Sequence, residues 1–114
     1  MPSEDPSAPL LAVEYMDDGR TVTVALSGEV DITTIDRLER AALAVTDGRR
    51  LVLDCRRLDF MDSTGLAGLL SLRRRFGANL RLVRGPEPLQ RMFEVTGMTT
   101  ILPFFDTPEL AAAD

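Results

Sequence analysis

Residues 51–66 read LVLDCRRLDFMDSTGL, and this stretch decides the fold. The run Leu51-Val52-Leu53 is apolar on successive residues, which is typical of a short strand covered on both faces in a parallel sheet. We predict that this run is the central strand, that residues 56–62 form a connecting loop, and that a helix begins near Ser63 and ends at Gly77.

Two runs of alternating residues precede this stretch. Residues 11–16 carry Leu, Val and Tyr at every second position, and residues 21–26 carry Val, Val and Leu in the same way. This is the period of half-buried strands, and Asp17-Asp18-Gly19 between the runs is a turn sequence. The two runs therefore predict an antiparallel hairpin. Its second strand ends at residues 27–31, where a loop begins.

The remaining elements are predicted from the spacing of apolar residues and from Gly and Pro residues that mark the ends of helices. Thr33 and Asp36 suggest a capping pair for a first helix that ends at Asp47-Gly48. The other predicted elements are a strand at Leu80, Leu82 and Val83, a helix from Gly85-Pro86-Glu87-Pro88 to Gly97, an edge strand at Ile101-Leu102, and a short helix from Thr107.

The predicted order is ββαβαβαβα, an α/β fold with a mixed, mostly parallel central sheet flanked by helices. Strands that alternate with helices pair in parallel, and the first hairpin adds an antiparallel edge. A chain of 114 residues has room for one core. We assign residues 1–9, which are acidic and rich in Pro, to a flexible N-terminal tail and residues 10–114 to one domain.

The composition excludes several classes of function. The chain has no His, one cysteine (Cys55), no Lys and a net charge of -5. Without His, it lacks the commonest general base and the commonest zinc ligand. Its net negative charge does not indicate general binding to DNA or RNA. The N-terminus has no signal-peptide pattern, and no apolar run has membrane-spanning length. We therefore expect a cytoplasmic protein with no membrane or nucleic-acid partner.

Ser63 supports two interpretations. As a helix cap, its hydroxyl would accept a backbone hydrogen bond that contributes about 1 kcal/mol, and Asp62 would serve equally well. As a modification site, it lies where open α/β sheets place ligands and partners. A phosphate there would face unpaired N–H groups at the positive end of the helix, so the fold would tolerate it, whereas an acidic or apolar partner surface would not.

Four segments carry a resemblance to a known family: residues 26–31 (LSGEVD), Leu53-Asp54, residues 60–66 (FMDSTGL) and residues 89–98 (LQRMFEVTGM). With them the chain resembles the anti-sigma factor antagonists of bacterial partner-switching systems, which carry a single STAS domain. The resemblance implies that unphosphorylated protein binds an anti-sigma factor and so releases a sigma factor. It implies an indirect effect on transcription, as in a stress response.

The same resemblance implies that Ser63 is phosphorylated by the anti-sigma factor, a serine kinase that holds the ATP and magnesium, and is restored by a PP2C-type phosphatase. This chain would then need no cofactor of its own and would be a substrate, not an enzyme. Asp31 and Asp62 match acidic positions beside the phosphoacceptor in the family. Gly28 is expected to be needed for the backbone conformation and not for a direct contact. Thr64 is a minor alternative phosphoacceptor. The implied partner-binding set is Gly28, Asp31, Asp62, Ser63, Thr64 and Gly65.

Two other classes of function remain open. A STAS accessory or scaffold subunit of a transporter or signalling complex, without phosphorylation, would use the same fold. A small enzyme built on Ser63 and Asp62 is disfavoured, because the chain offers no general base and no second catalytic constellation.

Overall fold

The structure is a computed structural model that describes residues 10–45 and 48–113. The predicted order of elements is confirmed in this part of the chain. The proposed tail and Asp47 lie outside the described residues. The strands are β1 (Leu11–Asp17), β2 (Thr21–Val30), β3 (Arg50–Met61), β4 (Leu80–Val83) and β5 (Phe104–Phe105), and the helices are α1 (Ile35–Leu43), α2 (Ser63–Phe76), α3 (Glu87–Val95) and α4 (Pro108–Ala112).

The strands form one sheet in the order β1-β2-β3-β4-β5. β1 pairs with β2 antiparallel, and all other neighbours pair in parallel. β3 is therefore the central strand, as predicted, and the hairpin supplies the antiparallel edge. This mixed topology places the carboxyl ends of β2 and β3 side by side, where Val30 pairs with Met61.

The core lies on both faces of the sheet. Leu51 and Leu53 of β3 pack in the larger cluster with buried residues of α1, α2 and α3, such as Leu38, Leu69 and Phe93. Val52 of β3 lies in the smaller cluster, where Val83 of β4, Ala111 of α4 and Phe105 of β5 join it. Successive apolar residues on β3 are thus needed because α1–α3 cover one face and α4 covers the other.

The predicted loop at residues 56–62 is wrong. β3 continues to Met61, and β2 continues to Val30, because these two strands stay paired beyond the apolar run. The pairing shifts register between Ala25 and Ser27 and between Gly28 and Glu29. Such bulges interrupt the alternation of side chains between faces, so the end of the strand does not follow the apolar pattern.

Two further predictions fail in detail. The fifth strand is Phe104–Phe105, not Ile101-Leu102, since the chain turns after a 3-10 segment at residues 98–100 and pairs with β4 only beyond Pro103. The Thr33 and Asp36 capping pair does not form. Thr34 takes the N-cap position of α1 without a side-chain capping bond, and the helix ends at Leu43.

The arginines at the end of α2 have structural partners. The Arg75 guanidinium donates to the carbonyl oxygens of Ala42 and Val45 at 3.5 and 3.4 Å, so it satisfies carbonyls at the end of α1. Arg73 donates to the carbonyl of Gly77, where α2 ends. Among the described residues, no helix combines the length and apolar character that a bilayer crossing requires.

Candidate functional site

Ser63 is the first residue of α2, directly beyond the central strand. The preceding residue, Asp62, donates its backbone N–H to the carbonyl oxygen of Val30 at 3.2 Å, which ties the helix start to the end of β2. The Ser63 side chain is exposed. Within the described residues, its hydroxyl makes no hydrogen bond. An exposed hydroxyl is thus presented at the junction of two strands and a helix.

Asp62, and not Ser63, caps α2. Its Oδ1 accepts hydrogen bonds from the backbone N–H groups of Thr64 at 2.9 Å and of Gly65 at 3.2 Å. The sequence left open whether Asp62 or Ser63 caps the helix, and in the structure Asp62 is the cap. The expectation that a phosphate on Ser63 would meet unpaired N–H groups is wrong for these two groups, because a carboxylate already occupies them.

Asp62→Ala is expected to lower the free energy of unfolding by about 1 kcal/mol, since two N–H groups at the helix start lose their acceptor. Ser63→Ala should change it by less than about 0.5 kcal/mol, the usual range for an exposed position. Thermal or urea unfolding of the two variants beside the wild type measures the difference. A larger loss for Ser63→Ala would show that its hydroxyl, and not the Asp62 carboxylate, stabilises the helix.

Gly65 is buried where α2 crosses the ends of β2 and β3. A Cβ atom at this position would lie 2.4 Å from Cγ of Met61 and 3.0 Å from Cγ1 of Val30. The glycine therefore lets the helix start approach the chain's own strands closely. Thr64, next to it, is half-buried, so Ser63 is the most accessible residue of this helix start.

The loop after β2 is ordered by Asp31, Thr33 and Thr34. Oδ1 of Asp31 accepts from the hydroxyl and the N–H of Thr33 at 2.7 and 2.9 Å. Thr34 is buried, and its hydroxyl donates to the carbonyl of Glu29 at 2.8 Å while accepting from the N–H of Asp31 at 2.9 Å. The sequence showed no signal for Thr34, because its role depends on how the loop folds back on β2.

The Thr33 hydroxyl and N–H hold the pKa of the Asp31 carboxyl below its usual value. Hydrogen bonds to an ionised carboxylate favour the charged form. Because the folded-state pKa is lowered, the stabilisation is present above the pKa of the unfolded chain and is lost as the pH falls through the folded-state pKa. Asp31 is thus a fixed negative charge near neutral pH.

Gly28 lies in β2 with φ of +113°, a region that other residues rarely adopt. A Cβ atom there would lie 1.9 Å from the carbonyl oxygen of Leu10. The same carbonyl accepts the N–H of Glu29 at 2.9 Å. The backbone requirement predicted for Gly28 is confirmed in this geometry: it lets the start of β1 reach the bulge of β2.

Two exposed apolar side chains lie in the chain segments that form the site. Ile32, in the loop after β2, is 76% exposed, and Phe60, near the end of β3, is 47% exposed. Phe60 was predicted to lie in a connecting loop and was not assigned a contact role, whereas the structure places it, exposed, near the end of β3. Its register partner Glu29 shows that it lies one step before the buried Val30–Met61 pair.

The amino-acid sequence is similar to those of known proteins over most of its length. Residues 13–103 match the family model described as "Mlab, STAS domain". The chain is 33% identical over 105 residues to a candidate anti-sigma factor antagonist of Bordetella bronchiseptica, covering 84% of this chain and 86% of that one. This chain belongs to the STAS domain family of anti-sigma factor antagonists. An anti-sigma F factor antagonist of Paenibacillus polymyxa is 28% identical over 102 residues, 84% of this chain and 87% of that one.

The fold agrees with a solved structure of the same family. An anti-sigma factor antagonist from Mycobacterium paratuberculosis superimposes with a TM-score of 0.79 and 28% identity, covering 93% of this chain and 92% of that one. The STAS fold predicted from the sequence is therefore confirmed. Within it, Asp62, Ser63, Thr64 and Gly65 meet at one helix start, and the loop with Asp31 follows the strand that pairs with β3.

Proposed function

We propose that this STAS domain is an anti-sigma factor antagonist that works as a phosphorylated switch. In its unphosphorylated form it binds an anti-sigma factor and so releases a sigma factor. The anti-sigma factor, a serine kinase that holds ATP and magnesium, phosphorylates Ser63 and ends the binding. A PP2C-type phosphatase restores the active form. The observation that carries the proposal is the exposed Ser63 hydroxyl, which takes no part in capping the helix on which it lies.

The surroundings of Ser63 support a switch that acts by charge. A phosphate brings roughly -1.5 to -2 charges near neutral pH. The N–H groups of Thr64 and Gly65 already bond to the Asp62 carboxylate, so they do not neutralise the new charge. The phosphate therefore adds to Asp31 and Asp62 in a chain whose net charge is already -5. Repulsion and desolvation then weaken a partner contact while the fold is kept.

Exposed apolar residues near the carboxyl ends of β2 and β3 support a protein partner. Ile32 and Phe60 are exposed, and apolar side chains of this kind contribute to protein interfaces when a partner covers them. A partner that covers these side chains together with the start of α2 would also have to bury a negative charge on Ser63. This arrangement suits a surface that binds when Ser63 is free and separates when Ser63 is phosphorylated.

The side chains of this sequence do not favour a phosphoryl-transfer activity of its own. It contains no His, and its only cysteine, Cys55, is fully buried. Burial raises the pKa of the Cys55 thiol to about 12, so the thiol is not a nucleophile at neutral pH. The kinase and phosphatase activities are accordingly assigned to partners, and the protein is a cytoplasmic regulator with an indirect effect on transcription.

The proposal is tested by incubating the chain with the anti-sigma factor kinases encoded in the same genome, with ATP and magnesium. Intact-mass analysis should show the gain of one phosphate on the wild type and none on Ser63→Ala. Thr64→Ala is the matched control, and it should gain the phosphate as the wild type does. The PP2C-type phosphatase should remove it.

Two results would overturn the switch. One is a phosphate that still appears on Ser63→Ala, which would move the acceptor to Thr64 or elsewhere. The other is a wild type that binds none of the anti-sigma factors and gains no phosphate. If pull-downs then recover a transporter or scaffold complex, the chain is an accessory STAS subunit instead.

A further inference from the structure

The outer edge of β1 is the most open strand edge in the described sheet. β1 spans seven residues, Leu11–Asp17, whereas the opposite edge strand β5 spans two. Long edge strands are commonly protected from pairing by Pro, by charged side chains, especially Lys, or by a bulge. β1 contains neither Pro nor Lys, its charged residues are Glu14 and Asp17, and its pairing with β2 runs without a register shift from Leu11 to Asp17.

Exposed apolar side chains lie on this edge strand and at the residue just before it. Leu10 is 59% exposed, Tyr15 is 56% exposed and Met16 is 72% exposed. An open row of backbone N–H and C=O groups beside exposed apolar side chains is a template for pairing with another strand. The edge therefore has both components of a strand-pairing interface.

We propose that β1 pairs antiparallel with β1 of a second copy of this chain, with Val13 on the two-fold axis. This register sets Leu10 opposite the partner's Met16 and Leu11 opposite the partner's Tyr15. Ala12 then lies opposite the partner's Glu14. Apolar residues meet apolar residues, and each glutamate meets an alanine.

Charge selects this register. Centring the pair on Glu14 would place two carboxylates directly opposite each other, and like charges at such positions are destabilising. Centring it on Ala12 would set residues 15–17 opposite residues 7–9 of the second copy, which precede β1. The Val13 register keeps residues 10–16 paired and has no opposed like charges.

The pairing is compatible with the Ser63 site. α2 begins after β3, and β2 separates β3 from β1. Ser63 therefore stays open in both copies. A contact made mainly along one strand is smaller than the interface of a permanent dimer, so the association should be weak and concentration-dependent.

The test uses the Ala12 and Glu14 pair, because Ala12 is exposed and lies with Glu14 and Met16 beside α4, on the part of that sheet face that α4 leaves uncovered. Light scattering coupled to size exclusion is measured for the full chain from low micromolar to millimolar concentration. The wild-type mass should rise from that of one chain towards that of two. Ala12→Glu should weaken association roughly tenfold, since symmetry creates two glutamate pairs.

A charge swap completes the test. Glu14→Arg alone should associate as the wild type does, and Ala12→Glu combined with Glu14→Arg should restore association by placing opposite charges together. Circular dichroism melts show whether each variant keeps the fold. A wild type that stays a single chain at millimolar concentration, or an Ala12→Glu variant that associates unchanged, would overturn the proposed pairing.

Discussion

Ser63→Asp is expected to weaken binding of the anti-sigma factor roughly a hundredfold, about 3 kcal/mol, while Ser63→Ala binds as the unphosphorylated wild type does. The aspartate adds a charge beside Asp62, whose carboxylate already holds the N–H groups of Thr64 and Gly65. The surface of the anti-sigma factor would therefore have to accommodate the new charge. Isothermal titration with the purified anti-sigma factor measures both affinities.

Thermal melts separate this effect from unfolding. An acidic residue in the first turn of a helix is compatible with the helix dipole, so Ser63→Asp should melt close to the wild type. Ser71→Asp is a matched control, because Ser71 is also exposed on α2 but lies two turns further along the helix. Equal losses of affinity for Ser63→Asp and Ser71→Asp would contradict a switch located at the helix start.

Gly28→Ala is expected to lower the free energy of unfolding by about 3 kcal/mol or more. Two costs combine: an L-residue at φ of +113° is strained, and its Cβ would lie 1.9 Å from the carbonyl oxygen of Leu10, a backbone atom. The start of β1 must then separate from the bulge of β2. Urea unfolding of the variant and the wild type measures the change.

Gly19→Ala is the matched control for that experiment. Gly19 also has a positive φ, +94°, but a Cβ there would meet nothing within 4 Å. This variant should lose about 1 kcal/mol from backbone strain alone. If the two alanine variants lose equal stability, the close approach of Leu10 does not matter, and Gly28 is required only for its backbone conformation.

The sequence predicted the elements well where local patterns carry the information. The apolar run at residues 51–53 identified the central strand, and the Asp17-Asp18-Gly19 turn identified the hairpin. Gly77 and Gly97 marked helix ends, and both have positive φ values. Each of these signals depends on a few neighbouring residues, so they can be read without knowing which elements pack together.

Predictions failed where pairing or packing between segments distant in sequence decides the local structure. The end of β3 was misplaced because pairing with the bulged β2 extends it beyond its apolar run. The fifth strand was assigned to Ile101-Leu102, but Phe104–Phe105 forms it, since pairing with β4 selects the edge residues. The role of Arg75, which satisfies carbonyls at the end of α1, likewise depends on an element that is distant in sequence.

The sequence by itself determined the order of the elements, the family and the position of Ser63 at a helix start, because these depend on short motifs and on residue spacing. Only the tertiary structure decided which side chain caps that helix and which stays exposed. Ser63 and Asp62 are equally good caps as isolated residues. The choice follows from the bond between the Asp62 N–H and the Val30 carbonyl, which fixes the helix start against β2 and leaves the Ser63 hydroxyl in solvent.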